Sequence, residues 1–167
     1  MMRFLVTSRF QLHGIQIPQH YAVISMTDPI SPPVVLKEDP MMLAILRLEF
    51  YDLDEPIGRY KNVFNHEHAD QIIDFAEKFA GKDIVMVCQC EAGISRSAGC
   101  AAALSHIYNG QDVIYFNTFV PNRRVYSTIL SRWYDRQDGK ESAPIIIPGK
   151  QFLEESKKLT TQEEKLT

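Results

Sequence analysis

Cys90 and Arg96 stand in a Cys-x5-Arg spacing with Gly93 between them, and that set of side chains suits the capture of a tetrahedral oxyanion. The spacing alone is a weak signal, and its setting strengthens it. Cys90 ends a strand expected to be buried, and Arg96 opens a stretch of small residues; a strand, tight loop and helix in that order turn backbone N–H groups around a phosphate-sized anion. Inward amides, a helix N-terminus and a nearby guanidinium all favour the thiolate over the thiol, so Cys90 is the expected nucleophile. The planar fork of Arg96 can hold two phosphate oxygens and follow the equatorial oxygens as charge redistributes, which lysine does less specifically. Gly93 lacks a Cβ and permits positive φ and close approach of backbone to the anion. Ser97 can donate its hydroxyl to the sulfur and help it leave a thiophosphate. The expected phosphate-binding set is Glu91, Ala92, Gly93, Ile94, Ser95 and Arg96.

Expelling an alkoxide or phenoxide also needs a proton donor, commonly a carboxylic acid on a mobile loop that later acts as base on water. The segment Asp52, Leu53, Asp54, Glu55, Pro56 offers three carboxylates, which by themselves read equally as a solvated acidic loop.

These residues need a scaffold. Phe4 to Val6 and Tyr21 to Ser25 are short β-rich runs, and Leu46 to Phe50 alternates, with Leu46, Leu48 and Phe50 on one face and Arg47 and Glu49 on the other. Chain breakers, Asp28-Pro29 and Ser31-Pro32-Pro33, lie between them, and residues 52–65 read as a surface loop. From His66 to Ala80, Ala69, Ile72, Ile73, Ala76, Phe79 and Ala80 follow helical spacing, with Asn65 as N-cap and Gly81 past the end. Residues 84–88 run apolar without interruption, as a strand buried on both faces does. A buried helix follows the loop from Arg96 and Ser97 through Ala98 to Leu104 and stops at Asn109-Gly110; another starts near Asn122 with Tyr126, Ile129, Leu130 and Trp133 on one face. The expected fold class is therefore α/β, a single domain with a central, mostly parallel sheet flanked by helices and the active loop at a strand's carboxyl end. The domain is expected over residues 1–137, with a tail at 138–167 that packs as one peripheral helix or stays loose.

Composition narrows the class. The chain has 167 residues, 45% hydrophobic, enough for one ordinary core. With 18 Lys and Arg against 21 Asp and Glu, the formal charge is −3, which lacks the basic footprint of a nucleic-acid partner. No apolar run approaches the roughly 18 residues of a membrane span, and the polar turn after Val6 leaves no secretory signal, so the expected location is cytoplasmic. Three cysteines argue for reduced thiols rather than a disulfide framework.

The string Cys90-Glu91-Ala92-Gly93-Ile94-Ser95-Arg96-Ser97 resembles the signature loop of the cysteine-dependent protein tyrosine phosphatases, especially the compact dual-specificity group. Roughly residues 20–135 follow that family's order of elements. The resemblance implies a protein-tyrosine-phosphatase-like fold and a phosphomonoester hydrolase working in two steps through a phosphocysteine. It implies no cofactor and no metal, with Cys90 as nucleophile, Arg96 as clamp and Ser97 as the hydroxyl that assists breakdown. It selects Asp52, just after Phe50-Tyr51, as the acid, with Asp54 as understudy, and it implies that Asn122 braces the signature loop besides capping a helix. The family places histidine before the nucleophile, whereas this chain has Gln89, which brings no positive charge and implies a less activated Cys90. The loop also lacks the lysines of inositol-phosphate-specific relatives, which favours a phosphorylated protein, or a small aryl phosphate, as substrate.

Other residues have plainer expectations. His66 and His68, with Asp70 nearby, do not share a helix face and read as a surface cluster rather than a metal site. Cys88 and Cys100 read as core, with Cys88 on the same strand face as Cys90 and so a candidate for an oxidative disulfide. Arg123 and Arg124 read as a solvated face. Two rival functions use the same loop: a phosphate-binding module without turnover, and thiol chemistry of the sulfurtransferase or arsenate-reductase kind. Oligomeric state is not legible.

Overall fold

The structure, a computed structural model, describes residues 1–139, so the expectation for the tail at 140–167 falls outside the described residues. Four strands form the sheet: β1 (Arg3–Ser8), β2 (Tyr21–Thr27), β3 (Met42–Glu49) and β4 (Val85–Cys90). Their order is β1-β4-β2-β3 and every pairing is parallel. Five helices connect and cover them: α1 (Arg9–Gly14), α2 (His66–Glu77), α3 (Arg96–Asn109), α4 (Val113–Thr118) and α5 (Arg123–Asp138). Residues Met1–Asp135 make one compact unit; the second begins at Arg136, within α5.

The two central strands explain why the sheet is parallel and covered. All seven residues of β2 are buried, and β4 is buried from Met86 to Cys90, as strands sandwiched between helical layers must be. Side chains alternate between two cores. Ala22, Ile24, Met26, Met86, Cys88 and Cys90 face the larger one with α2, α3 and α5; Val23 and Val87 face the smaller one, with Leu12 of α1 and Val34. The β3 alternation places Leu48 inside and Arg47 and Glu49 outside; pairing ends at Glu49, though the Phe50 N–H still donates to Thr27 O at 3.1 Å.

α2 starts where expected: Asn65 accepts from the His68 N–H at 3.0 Å, and the His68 ring reciprocates with the Asn65 N–H. α3 is buried continuously from Arg96 to Ser105, so it runs through the interior rather than along the surface, and Gly110 ends it at φ +66°. Two helices escaped the sequence reading. α1 and α4 have six residues each, too short for an apolar period; α1 is announced only by its Ser8 to Gln11 capping box. The loop at 52–65 is also not wholly superficial, because Val63 and Phe64 are buried and Phe64 meets Phe50 edge to face at 5.0 Å. Among the described residues no helix is long and apolar enough to cross a membrane.

Candidate active site

The carboxyl ends of β4, β2 and β3 deliver three segments to one place. β4 delivers Cys90, 1% exposed, and residues 91–95 turn into α3. Gly93 sits at φ +69°, and a Cβ there would lie 2.5 Å from Ser8 N and 2.7 Å from Thr7 C. The close approach that requires glycine is therefore to the end of β1, a reason different from the anion contact expected from sequence. Among the described residues none accepts a hydrogen bond from the backbone N–H groups of residues 92–97. Ser95, which precedes α3, makes no side-chain cap and instead donates its hydroxyl to Asp52 Oδ1 at 2.7 Å. The head of α3 thus keeps its free donors.

Cys90 Sγ lies 3.0 Å from Ser97 Oγ. Arg96 is 2% exposed: its NH1 donates to Phe50 O at 2.7 Å and forms an ion pair with Asp28 Oδ1 at 2.9 Å, its guanidinium stands 5.7 Å from the centre of the Phe50 ring, and its buried Nε has no hydrogen-bond partner among the described residues. Asp52 enters from the end of β3. Its Oδ1 accepts from Ser95 Oγ and, at 2.8 Å, from Asn122 Nδ2, while its Oδ2 lies 3.9 Å from Arg96 Nε. Asp54 is turned elsewhere: its carbonyl accepts from Arg124 NH1 at 2.9 Å and its Oδ1 from the Arg124 N–H at 3.4 Å. Arg124 also donates to Phe64 O at 2.5 Å, so it fastens the acidic loop to α5 rather than standing on a solvated face. Arg123 lines the cleft shared by Asp52, Ser95 and Asn122.

Asn122 does two jobs. It caps α5 by accepting from the Val125 N–H at 2.9 Å, and its own N–H donates to Ser95 O at 3.0 Å while its amide holds Asp52. A Cβ on Gly99 would come within 2.7 Å of Asn122 O, so the small residue in α3 lets this segment in.

The remaining loop residues are placed as follows. Glu91 is paired with Arg9 through Nε at 2.6 Å and NH2 at 2.8 Å, and the Arg9 N–H donates to Glu91 O at 3.2 Å. The hydrogen bond from Arg9 holds the Glu91 carboxyl below its usual range, burial opposing, and Glu91 in turn raises Arg9. Ala92 and Ile94 are exposed on the rim. Gln89 is fully buried; its Oε1 accepts from Ser25 Oγ at 2.6 Å and its Nε2 has no partner among the described residues.

Three placements differ from the residue-by-residue reading. His68 does not belong to a surface cluster with His66: its ring packs against Phe50 and Phe64, at centroid distances of 5.2 and 5.6 Å. Asp70 is a partner of Arg132 at 3.0 Å. Cys88 lies 3.8 Å, sulfur to sulfur, from Cys100, which is the thiol across from it; that contact and burial push the Cys100 thiol well up. The sequence reading missed Asp28 and Arg9. Asp28 carried a signal only as a chain breaker before Pro29, and Arg9 lies 82 residues from Glu91.

No family model matches the sequence, and no curated protein matches it. Solved structures do. PTPMT1, in a crystal structure of its complex with PI(5)P, superposes with a TM-score of 0.51 at 14% identity, covering 71% of this chain and 80% of that one. Human DUSP28 gives a TM-score of 0.48 at 17% identity, covering 82% of this chain and 95% of that one. At 14% identity the likeness to PTPMT1 shows the fold alone: a small α/β domain of the protein-tyrosine-phosphatase kind.

Proposed function

We propose that the protein hydrolyses phosphate monoesters through a phosphocysteine on Cys90. The observation that carries this is the loop itself: a cysteine at a strand end, backbone N–H groups at the head of α3 that have no acceptor among the described residues, and a buried guanidinium whose Nε has no hydrogen-bond partner among them, all within residues 90–97. Bound phosphate oxygens would satisfy those donors.

In the first step the Cys90 sulfur attacks phosphorus, the P–O bond to the leaving group breaks, and Asp52 gives that oxygen a proton. Oδ1 of Asp52 already accepts from Ser95 and Asn122, so the proton belongs on Oδ2, the oxygen nearer Arg96. Arg96 and the amides hold the three equatorial oxygens as charge moves. In the second step Asp52 takes a proton from water, the water oxygen bonds to phosphorus, and the P–S bond breaks; Ser97, 3.0 Å from Cys90 Sγ, donates to the departing sulfur. Orthophosphate and the free thiolate result.

The substrate class that fits is a singly phosphorylated group such as a protein phosphotyrosine or an aryl phosphate. Glu91, the one charged side chain among loop residues 91–95, is neutralised by Arg9, so the rim offers no lysine cluster to further phosphates. Purified protein with an aryl phosphate and a metal chelator tests the reading. Turnover is expected to be chelator-insensitive and absent in Cys90→Ser. Tungstate binding without turnover would instead make this a phosphate-binding module, the reading that the neutral Gln89 favours, and activity in Cys90→Ser would overturn the covalent mechanism.

A further inference from the structure

We propose that the cleft between α1 and residues 31–35, beside the signature loop, seats an apolar, uncharged side chain of a phosphorylated peptide, close in sequence to its phosphorylated residue. This rests on the phosphatase reading above and narrows its substrate class to phosphopeptides chosen by an apolar neighbour.

The walls follow from local sequence. In α1 only Leu12 is buried, and Phe10 is 89% exposed. Across the cleft, Pro32 and Pro33 have fixed φ and no backbone N–H, so this stretch presents rings rather than donors. Val34 tucks into the smaller core and leaves Val35 77% exposed. Phe10, Pro32, Pro33 and Val35 line one cleft of about 570 Å³, within the size range of sites that take small ligands and side chains.

Hydrogen bonds fix the cleft and tie it to Cys90. Arg9 NH2 donates both to Pro32 O at 2.7 Å and to Glu91 Oε1 at 2.8 Å, and Arg9 Nε donates to Glu91 Oε2 at 2.6 Å. His13 Nδ1 meets Val35 O at 3.3 Å. The two walls are thus joined to each other and, through Glu91, to the residue after Cys90. A side chain in the cleft belongs to the same short segment as the group whose phosphate enters the loop, and walls set in advance spare ordering entropy.

Charge selects the occupant. With histidine neutral, the charged residues lining the cleft are Arg9 and Glu91, and each neutralises the other. A lysine, glutamate or second phosphate placed there would give up water with no free opposite charge to meet. An anionic lipid surface would likewise need unpaired cations, which the cleft does not offer. An aliphatic or aromatic side chain against Phe10 and Val35 gains by covering surface that both now leave to water.

The test is calorimetric affinity of Cys90→Ser, expected to hold substrate without turning it over, for phosphotyrosyl peptides of alanine background in which leucine is moved through the positions on either side of the phosphotyrosine. At one position leucine is expected to bind about tenfold more tightly than alanine, the worth of burying most of one such side chain, and lysine or glutamate there no better than alanine. Adding Phe10→Ser or Val35→Ser, each at an exposed position, is expected to cut that preference to about twofold. A flat scan overturns the proposal, as does a preference for charge or one that persists in full in both variants. Sedimentation with phosphatidylcholine vesicles that is lost in Phe10→Ser, alongside a flat scan, would make the cleft a lipid contact and overturn it too. A wild type that neither hydrolyses an aryl phosphate nor binds tungstate fails the phosphatase reading itself; one that binds tungstate and shows a flat scan fails the cleft alone.

Discussion

Asn122 Nδ2 donates to Asp52 Oδ1 at 2.8 Å while Asn122 Oδ1 accepts from the Val125 N–H at 2.9 Å, so one amide joins the proposed acid to the start of α5. The two halves of that amide can be separated. Serine is as good an N-cap as asparagine but is too short to keep the Asp52 contact. Asn122→Ser is expected to keep its urea midpoint and to lose about tenfold in kcat on phenyl phosphate through misplacement of the acid. Asn122→Ala loses both, with about 1 kcal/mol of stability as well. Equal kcat in wild type and Asn122→Ser would remove Asn122 from the positioning of Asp52.

Ser97 is predicted to act after the leaving group has gone. It is fully buried and, among the described residues, its hydroxyl's one polar contact is Cys90 Sγ, so it has little to offer the first step, in which the sulfur bonds to phosphorus. Ser97→Ala is expected to slow breakdown of the phosphocysteine by about a hundredfold, within the range of positioned proton donors. Rapid-mixing with p-nitrophenyl phosphate should then show a stoichiometric burst of nitrophenol followed by a slow steady state. A lower steady state with no burst would place Ser97 in the first step or in structure.

Gly93 is predicted to be irreplaceable for packing. Its φ of +69° disfavours any side chain, and an added Cβ would stand 2.5 Å from Ser8 N, a backbone atom that cannot swing away. Gly93→Ala is expected to cost more than about 1 kcal/mol, read as a lower urea midpoint at unchanged slope. A midpoint equal to that of wild type would show that the loop and the β1 end separate easily.

The parts legible in the sequence were those written in local patterns. The uninterrupted run ending at Cys88, the helical spacing after Asn65 and the small residues after Arg96 each reflect burial, and burial on a regular element leaves a period. What escaped notice is non-local or too short to have a period. Asp28 meets Arg96 only because β2 and β4 are neighbours in a sheet whose order, β1-β4-β2-β3, no single segment states. Arg9 reaches Glu91 for the same reason, from the end of β1 beside β4. Within the loop at 52–65 the polar residues hid Val63 and Phe64, two buried anchors without alternation around them. Strand parity sets Cys88 on the face of Cys90, whereas the helix packed on that face supplies Cys100 at 3.8 Å.

His68 yields a pH prediction whose sign follows from its neutral ring. The Asn65 N–H donates to His68 Nδ1 at 3.3 Å, which needs a lone pair there, and the ring lies against Phe50 and Phe64. Burial pulls the His68 pKa below its ordinary value, with the charge of Glu67 opposing. The unfolded chain, titrating near pH 6.5, therefore takes up a proton that the folded chain resists, so this contribution to stability is complete above about pH 6.5 and is lost as pH falls through the folded pKa. Glutamine at this position of a capping box also accepts from the N-cap amide but does not titrate here. The gap in urea stability between wild type and His68→Gln is expected to move against wild type on going from about pH 7.5 to about pH 5.5, across the ordinary histidine pKa. A gap that stays constant would mean that the ring is protonated equally in both states. The candidate active site is affected too, because Phe50, on which the ring lies, offers its carbonyl to Arg96 NH1; a protonated His68 that leaves its place loosens one of the two contacts, with Phe50 O and Asp28, that hold the proposed phosphate clamp.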